Sequence, residues 1–121
     1  MKKTYETGLW GENTALEYLT RELGMSLMEH RYRTKCGEID LIMLDGETIV
    51  FVEVKTRKTG EAGIGLSSVN IKKQKRITNA AILYLMKQKW MNRTVRFDLV
   101  EIYGNKILHV PDAFRPYGSF R

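Results

Sequence analysis

The sequence predicts an α/β fold in a single domain. Two long stretches, residues 4–23 and 68–90, place apolar side chains at helical spacing. Five shorter stretches between and after them have the alternating or continuous apolar patterns of β-strands. The 121 residues suit one compact domain, and the 43% of hydrophobic residues is enough to build a buried core.

Composition and charge limit the classes of function. No apolar run approaches the ~20 residues that span a bilayer, and the first residues lack the apolar segment of a signal peptide. Cys36 is the only cysteine, which excludes an internal disulfide and a cysteine-based zinc cluster. We therefore expect a cytoplasmic protein with no membrane partner. The formal charge of +6, from 20 Lys and Arg against 14 Asp and Glu, favours nucleic acid as the partner.

The first predicted helix, residues 4–23, carries an acid on its apolar stripe. Gly24 is expected to end this helix. Glu12 shares the face of the stripe, and a buried carboxylate is costly unless another group compensates its charge. Two interpretations stay open: Glu12 lies at the margin and gains from the helix dipole, or it points at the same site as the later acids. The stripe consists of Leu9, Leu16, Leu19 and Leu23.

A first strand is predicted over residues 25–32, with Met28, His30 and Tyr32 on one side. His30 is interpreted as a surface or packing histidine, because no second histidine lies at ligand spacing.

The next two strands form a predicted hairpin around the Asp-Gly pair at 45–46, which supplies the positive φ of a tight turn. A turn with two central residues would place Glu38 opposite Glu53, and a four-residue loop would place Asp40 there instead. In both registers these three acids and Lys55 share one face of the sheet. The opposite face is an apolar layer of Ile39, Leu41, Met43, Val50, Val52 and Val54. The acid face also carries Ile42, Ile49 and Phe51, so both faces of the sheet are expected to be covered.

Two basic segments flank this hairpin. The run at 31–35, which includes Arg33 and Lys35, is either a solvated loop or a phosphate contact beside the acids. The second helix, capped by Ser67 or Ser68, is basic in its first turns and apolar after them. A basic first turn opposes the helix dipole, which favours a functional reason for it. Its basic residues are Lys72, Lys73, Lys75 and Arg76.

The remaining segments carry fewer signals. The stretch 56–66 is rich in Gly, Lys and Arg and is interpreted as a flexible loop, without the spacing of a phosphate-binding loop. Two further strands are predicted at 95–102 and 106–110, joined at Gly104-Asn105. The tail, 111–121, is aromatic and polar and is expected to pack loosely.

Close carboxylates stay ionised together only when they share a cation, or else one of them takes a proton. Carboxylate oxygens suit Mg²⁺ or Mn²⁺, which can activate a water and stabilise the charge of a phosphodiester transition state. Lys55 could orient the water or neutralise charge on the phosphate; the alternative is a structural ladder of Glu53 and Lys55. The chain has no Gly-x-Ser-x-Gly, Cys-x-x-Cys or His-Glu-x-x-His motif, and paired acids alone would also suit a glycosidase.

Asp40 followed by Glu53-Val54-Lys55 resembles the PD-(D/E)xK nuclease motif of the restriction-endonuclease-like superfamily. With its flanks, the chain resembles the YraN family, which is related to archaeal Holliday-junction resolvases. The superfamily's proline is replaced here by Ile39. The flanking matches are Gly8, Glu12 and Ala15, the segment 37–42, the segment 50–57, Lys73-Gln74, and Arg96-Phe97-Asp98.

The resemblance implies a restriction-endonuclease-like α/β core, with a mixed sheet of four or five strands flanked by helices. It implies Asp40 and Glu53 as metal ligands, Lys55 as the catalytic lysine and Glu12 as an additional acid and ligand. A resolvase would also require a homodimer.

These observations predict a Mg²⁺- or Mn²⁺-dependent endonuclease, a hydrolase of DNA phosphodiester bonds, with branched DNA as one candidate substrate. The alternatives are a non-catalytic nucleic-acid-binding module that keeps the fold, and an enzyme that cleaves RNA. The residues expected to contact nucleic acid are Arg33, Lys35, Arg57, Lys72, Lys73, Lys75 and Arg76.

Overall fold

The computed structural model describes residues 2–57 and 69–115, with side chains from residue 9 onward. Two helices and five strands make up this part of the chain, in the order α-β-β-β-α-β-β. They are α1 Lys2–Arg21, β1 Ser26–Arg33, β2 Glu38–Asp45, β3 Thr48–Arg57, α2 Ile71–Gln88, β4 Val95–Tyr103 and β5 Lys106–Val110. No helix among the described residues is long and apolar enough to cross a bilayer.

The five strands form one mixed sheet in the order β1-β2-β3-β4-β5. All neighbours are antiparallel except β3 and β4, which run parallel because α2 carries the chain back across the sheet. The predicted α/β fold, with a mixed sheet flanked by helices, is confirmed.

The two faces of the sheet are covered by different helices. Alternate residues of β3 enter opposite cores, so Phe51 packs towards α2 and Val52 packs towards α1. Covering both faces explains why the hairpin strands carry so few polar residues. The α2 side contains Ile42, Ile49, Phe51, Tyr84, Leu85 and Phe97. The α1 side contains Ala15, Leu19, Leu41, Met43, Val50 and Val52.

Helix α1 ends at Arg21, and Gly24 has a φ of +71° as expected for the residue that stops it. The prediction that Leu23 belongs to the buried stripe is wrong, because the helix ends before it and its side chain is exposed. Gly11 faces β3 so closely that a Cβ at that position would overlap the Thr56 side chain. This contact holds the middle of α1 against the sheet beside the acidic hairpin.

The hairpin turn has Gly46 and Glu47 as its central residues, closed by the pair of Asp45 and Thr48. Gly46 alone supplies the positive φ, at +62°, as in the first central position of a type II′ turn. The register is therefore the one that places Asp40 level with Glu53, although the turn is shorter than the predicted four-residue loop.

Strict alternation along β1 and β2 fails near Asp40. Ile39 packs on the α2 side with Ile42, whereas Leu41 packs on the α1 side. Assigning Ile39 to the same layer as Leu41 was therefore wrong. The physical reason is a distortion at this level of the sheet, since Arg31 in the neighbouring strand has a φ of +54°. For the same reason, His30 does not share a side with Tyr32: it contacts α1, while Tyr32 packs against Tyr84 of α2.

Helix α2 begins at Ile71, and the side chain of Asn70 caps it by accepting the N–H of Lys73 at 2.9 Å. The predicted caps Ser67 and Ser68 lie outside the described residues, as do residues 58–66 of the predicted loop and 116–121 of the tail. The helix ends at Gln88, where Lys89 adopts the left-handed conformation.

A second polar cluster, separate from the hairpin acids, joins β4 to β5. Asp98 is fully buried and accepts two hydrogen bonds from Arg96, at 2.9 and 3.0 Å. His109 Nε2 lies 2.8 Å from Asp98 Oδ2, and the backbone N–H of Asp112 donates to Oδ1 at 3.0 Å. Four hydrogen bonds thus satisfy this buried carboxylate.

Candidate active site

The candidate site forms where β2 separates from β3. The ladder between these strands ends at the pair of Leu41 and Val52. Beyond it, Asp40 Oδ2 accepts the backbone N–H of Val54 at 2.8 Å, so a side chain satisfies a donor that the sheet leaves open. This bond fixes Asp40 beside Glu53 at the end of the cleft.

The Asp40 carboxyl lies close enough to that of Glu53 for the charge of Glu53 to act on it. Burial, followed by the charge of Glu53, raises the pKa of Asp40 well above the usual 3.8. The charge of Glu12 acts in the same direction, and the Val54 N–H opposes it. A negative charge on Asp40 is therefore disfavoured by its surroundings, and a bound cation would stabilise that charge.

Two lysines converge on one oxygen of Glu53, whose residue is only 6% exposed. Lys73 Nζ of α2 lies 2.6 Å from Glu53 Oε2, and Lys55 Nζ of β3 lies 3.5 Å from the same atom. Burial and the neighbouring Lys73 lower the pKa of Lys55. Burial also opposes the charge of Lys73, but contact with Glu53 outweighs it and raises the pKa of Lys73.

A cavity of about 450 Å³ opens between the acids and the start of α2. Carboxylates lie at its sheet wall and cations at its helix wall, an arrangement that could hold a metal-bound phosphate group. Its lining residues are Gly37, Glu38, Asp40, Glu53, Asn70, Lys72, Lys73, Arg76 and Ile77.

Glu12 of α1 is buried next to this site but has its own partners. Its Oε1 accepts the Arg31 Nε–H at 2.7 Å and lies 3.0 Å from His30 Nε2. Neither interpretation of Glu12 from the sequence included these contacts. Glu12 is thus held by two side chains of β1. Its negative charge also contributes to the raised pKa of Asp40.

Comparison with known proteins identifies the family. A family model described as "Uncharacterised protein family UPF0102" matches residues 11–102. The chain belongs to the UPF0102 family. This confirms the resemblance to YraN at the level of the family.

UPF0102 proteins of several bacteria are similar to this chain. The one from Clostridioides difficile (strain 630) is 40% identical over 111 residues, which cover 90% of this chain and 96% of the relative. The one from Alkalilimnicola ehrlichii is 43% identical over 114 residues, covering 93% and 90%. The solved structure of SSO0001 has a TM-score of 0.44 and 15% identity over 88% of this chain and 50% of its own, too weak a likeness to support any inference.

The other basic residues predicted to contact nucleic acid differ in whether they line the cavity of this UPF0102 protein. Lys72 and Arg76 line it, and Lys75 is exposed on the same helix. Lys35 is exposed in the turn after β1. Arg57 instead faces the buried carboxylate of Glu101, with Nε 3.1 Å from Oε2, on β4.

Glu38 lies at the edge of the site. It lines the cavity, and its Oε1 is 3.1 Å from Arg33 Nε on the exposed surface. The structure thus makes Glu38 a partner of the basic run at 31–35.

The contacts of Glu12, and that between Lys73 and Glu53, could not be read from the sequence. They join segments from different elements, and only the positions of α1 and α2 on the sheet bring these segments together. Two signals were available for Lys73: its place in a basic first turn that the helix dipole disfavours, and the match of Lys73-Gln74 to the family pattern.

The donor set of this UPF0102 site fits an Mg²⁺- or Mn²⁺-type ion. Within residues 2–57 and 69–115, no three His, Cys, Asp or Glu side chains form a group able to hold a metal alone. Asp40 and Glu53 provide two carboxylates, and Mg²⁺ commonly binds through one or two carboxylates with water and phosphate oxygens as its other ligands. Structural zinc, which needs four protein ligands, does not fit.

The Asp40→Asn variant is expected to be more stable than the wild type at neutral pH without metal. Because the fold raises the pKa of Asp40, its charged form costs stability above the usual pKa of 3.8, and asparagine removes that cost. The amide oxygen can still accept the Val54 N–H. Thermal unfolding between pH 3 and 8 should show a gain that disappears below about pH 4. A variant that is less stable than the wild type at pH 7 would contradict this account of the acidic pair.

Proposed function

We propose that this protein is a Mg²⁺- or Mn²⁺-dependent endonuclease that hydrolyses phosphodiester bonds of DNA. The observation that carries the proposal is the convergence of Asp40, Glu53 and Lys55 where β2 and β3 separate. Asp40 and Glu53 line a cavity whose opposite wall is basic. The sequence of these residues resembles the PD-(D/E)xK motif, and we assign the protein to the restriction-endonuclease-like superfamily on that resemblance.

Asp40 and Glu53 would hold the metal, which when bound supplies a Lewis acid and an activated water. Lys55 has its ammonium beside Glu53, where it can donate hydrogen bonds to a phosphate oxygen or to the attacking water. Its pKa is lowered by burial, which leaves it a better proton donor than an exposed lysine. Glu12, held by Arg31, adds negative charge beside Asp40.

The basic wall of the cavity would bind the backbone of the substrate. Lys72 and Arg76 line the cavity, so their side chains would bind phosphates of the substrate backbone. Branched DNA is the substrate we favour within this class, on the family resemblance to Holliday-junction resolvases, and it would require two such sites in a homodimer. We place this activity in the cytoplasm.

The test is cleavage of linear, flapped and four-way DNA by the wild type and by Asp40→Asn, with Mn²⁺ and with chelator. We expect metal-dependent cleavage by the wild type and none by the variant, whose fold the unfolding curves above would verify. Cleavage by Asp40→Asn at the wild-type rate would refute the mechanism. A preference for RNA in the same assay would change the substrate class and leave the mechanism in place.

A non-catalytic nucleic-acid-binding module is the second candidate, and one observation favours it. Lys73 lies 2.6 Å from Glu53, so one of the two carboxylates already has a cationic partner. This candidate predicts DNA or RNA binding that weakens steeply with salt, needs no metal and survives Asp40→Asn. Filter binding at several salt concentrations, with and without Mn²⁺, separates it from the nuclease.

A further inference from the structure

Two lysines compete for one carboxylate oxygen in the candidate site, and their distances to it differ. Lys73 Nζ is 2.6 Å from Glu53 Oε2, while Lys55 Nζ is 3.5 Å away. The closer lysine belongs to the helix wall of the cavity, and its side chain is 35% exposed. Lys73, more than Lys55, is therefore the counter-ion of Glu53.

An ammonium at this distance occupies a coordination position of Glu53. A divalent ion bound through Oε2 would meet the positive charge of Lys73 at close range in a partly buried site, where charges are weakly screened. Metal binding through Glu53 Oε2 thus requires that Lys73 moves or that its charge is balanced by a new anion.

The surroundings of Lys73 allow its ammonium to change partners. Its backbone is fixed, because its N–H is held by the Asn70 side chain at 2.9 Å. Its four-carbon stem is flexible, and its ammonium borders a cavity of about 450 Å³. A phosphate bound in that cavity could replace Glu53 as the ion-pair partner of Lys73.

We propose that Lys73 blocks Glu53 until a phosphodiester enters the cavity, and so couples metal binding to nucleic-acid binding. This inference rests on the proposed function and adds a regulation of the same site. Lys73 is a positioning residue here, since it controls access to a metal ligand. By linkage, the substrate must tighten metal binding by the same factor by which the metal tightens substrate binding.

The experiment measures Mn²⁺ affinity by calorimetry for the wild type, Lys73→Met and Lys72→Met. Each titration is done alone and with a short DNA duplex whose phosphorothioate linkages resist cleavage. Without DNA, Lys73→Met should bind Mn²⁺ about 10-fold more tightly than the wild type. Lys72 lines the same cavity, but the ion pairs of Glu53 among the described residues are with Lys55 and Lys73. In the titration without DNA, Lys72→Met therefore removes the same charge and should change the Mn²⁺ affinity much less. With DNA, Mn²⁺ affinity should rise about 10-fold for the wild type and little for Lys73→Met.

Two further measurements protect the test against an unfolded variant. Lys73→Met should melt below the wild type in chelator, because Glu53 loses its nearest cation, and should gain more stability from Mn²⁺. Lys73→Arg, which keeps the charge, should retain the wild-type coupling.

The outcomes separate the inference from the function. Equal Mn²⁺ affinity of Lys73→Met and the wild type, alone and with DNA, would overturn the coupling and leave the nuclease proposal intact. If no variant binds Mn²⁺ under either condition, both fall and the binding module remains.

Discussion

Replacing Lys55 by methionine is expected to lower the rate of phosphodiester cleavage by about 100- to 1,000-fold, the usual cost of losing one donor that stabilises transition-state charge. Methionine keeps the length and apolar volume of the stem and removes the ammonium that lies 3.5 Å from Glu53. Mn²⁺ binding should persist, because the carboxylates remain and the site loses a positive charge.

Single-turnover cleavage at saturating Mn²⁺ measures this effect directly. Lys87→Met is the matched control, because Lys87 is exposed in the last turn of α2. The Lys87→Met variant should cleave DNA at the wild-type rate. Lys55→Met with full activity would place the proton donor elsewhere in the site. If Lys55→Met also fails to bind Mn²⁺, the lysine is needed to form the metal site, and the loss of cleavage would not show a role in the chemical step.

Replacing Asp98 by alanine should lower the free energy of unfolding by about 3–5 kcal/mol, the range for removing one partner of a buried ion pair. The loss leaves Arg96, His109 and the Asp112 N–H without their shared acceptor. Chemical denaturation at pH 7 measures it. The comparison variant is Asp45→Ala, which removes the second, more exposed carboxylate of Arg96, at 3.3 Å, and should cost less than about 1 kcal/mol.

The pH dependence of the Asp98 contribution has the opposite sign to that of Asp40. Burial alone would raise its pKa, but the bonds from His109, Arg96 and the Asp112 backbone together lower it. Its stabilising effect is therefore complete above the usual pKa of 3.8 and is lost as the pH falls through the lowered value. Equal stability of Asp98→Ala and the wild type at pH 7 would show that the cluster does not hold β5 in place.

The order and type of every described element agree with the prediction from the sequence, because the two helices and the central strands have clear apolar patterns and glycine-containing turns separate several of the elements. The grouping of Asp40, Glu53 and Lys55 was also predictable, since residues two apart share a face of a strand and the two registers differ only in which acids are opposite. The prediction that side chains alternate between the two faces of the sheet failed at Ile39, which lies on the α2 side. A distortion opposite Arg31, a residue with positive φ, leaves no signature in a pattern of period two.

The partners of the site residues were the other limit. The contacts of Glu12 with Arg31 and His30 depend on how α1 lies across the sheet. The contact of Glu53 with Lys73 depends in the same way on α2. Polar pairs of this kind connect segments far apart in sequence. Their charges can be listed from the sequence, but their partners follow only from tertiary packing.

The parallel pairing of β3 with β4 has a consequence for how the chain folds. Strands β1, β2 and β3 are joined by short turns, so their contacts are local and can form early. The β3–β4 ladder joins residues 46 positions apart, as in the pair of Ile49 and Val95, and must wait for α2 to close a long loop. We therefore expect the acidic hairpin to form before helix α2 brings Lys73 to Glu53, and closure of the crossover to limit the folding rate.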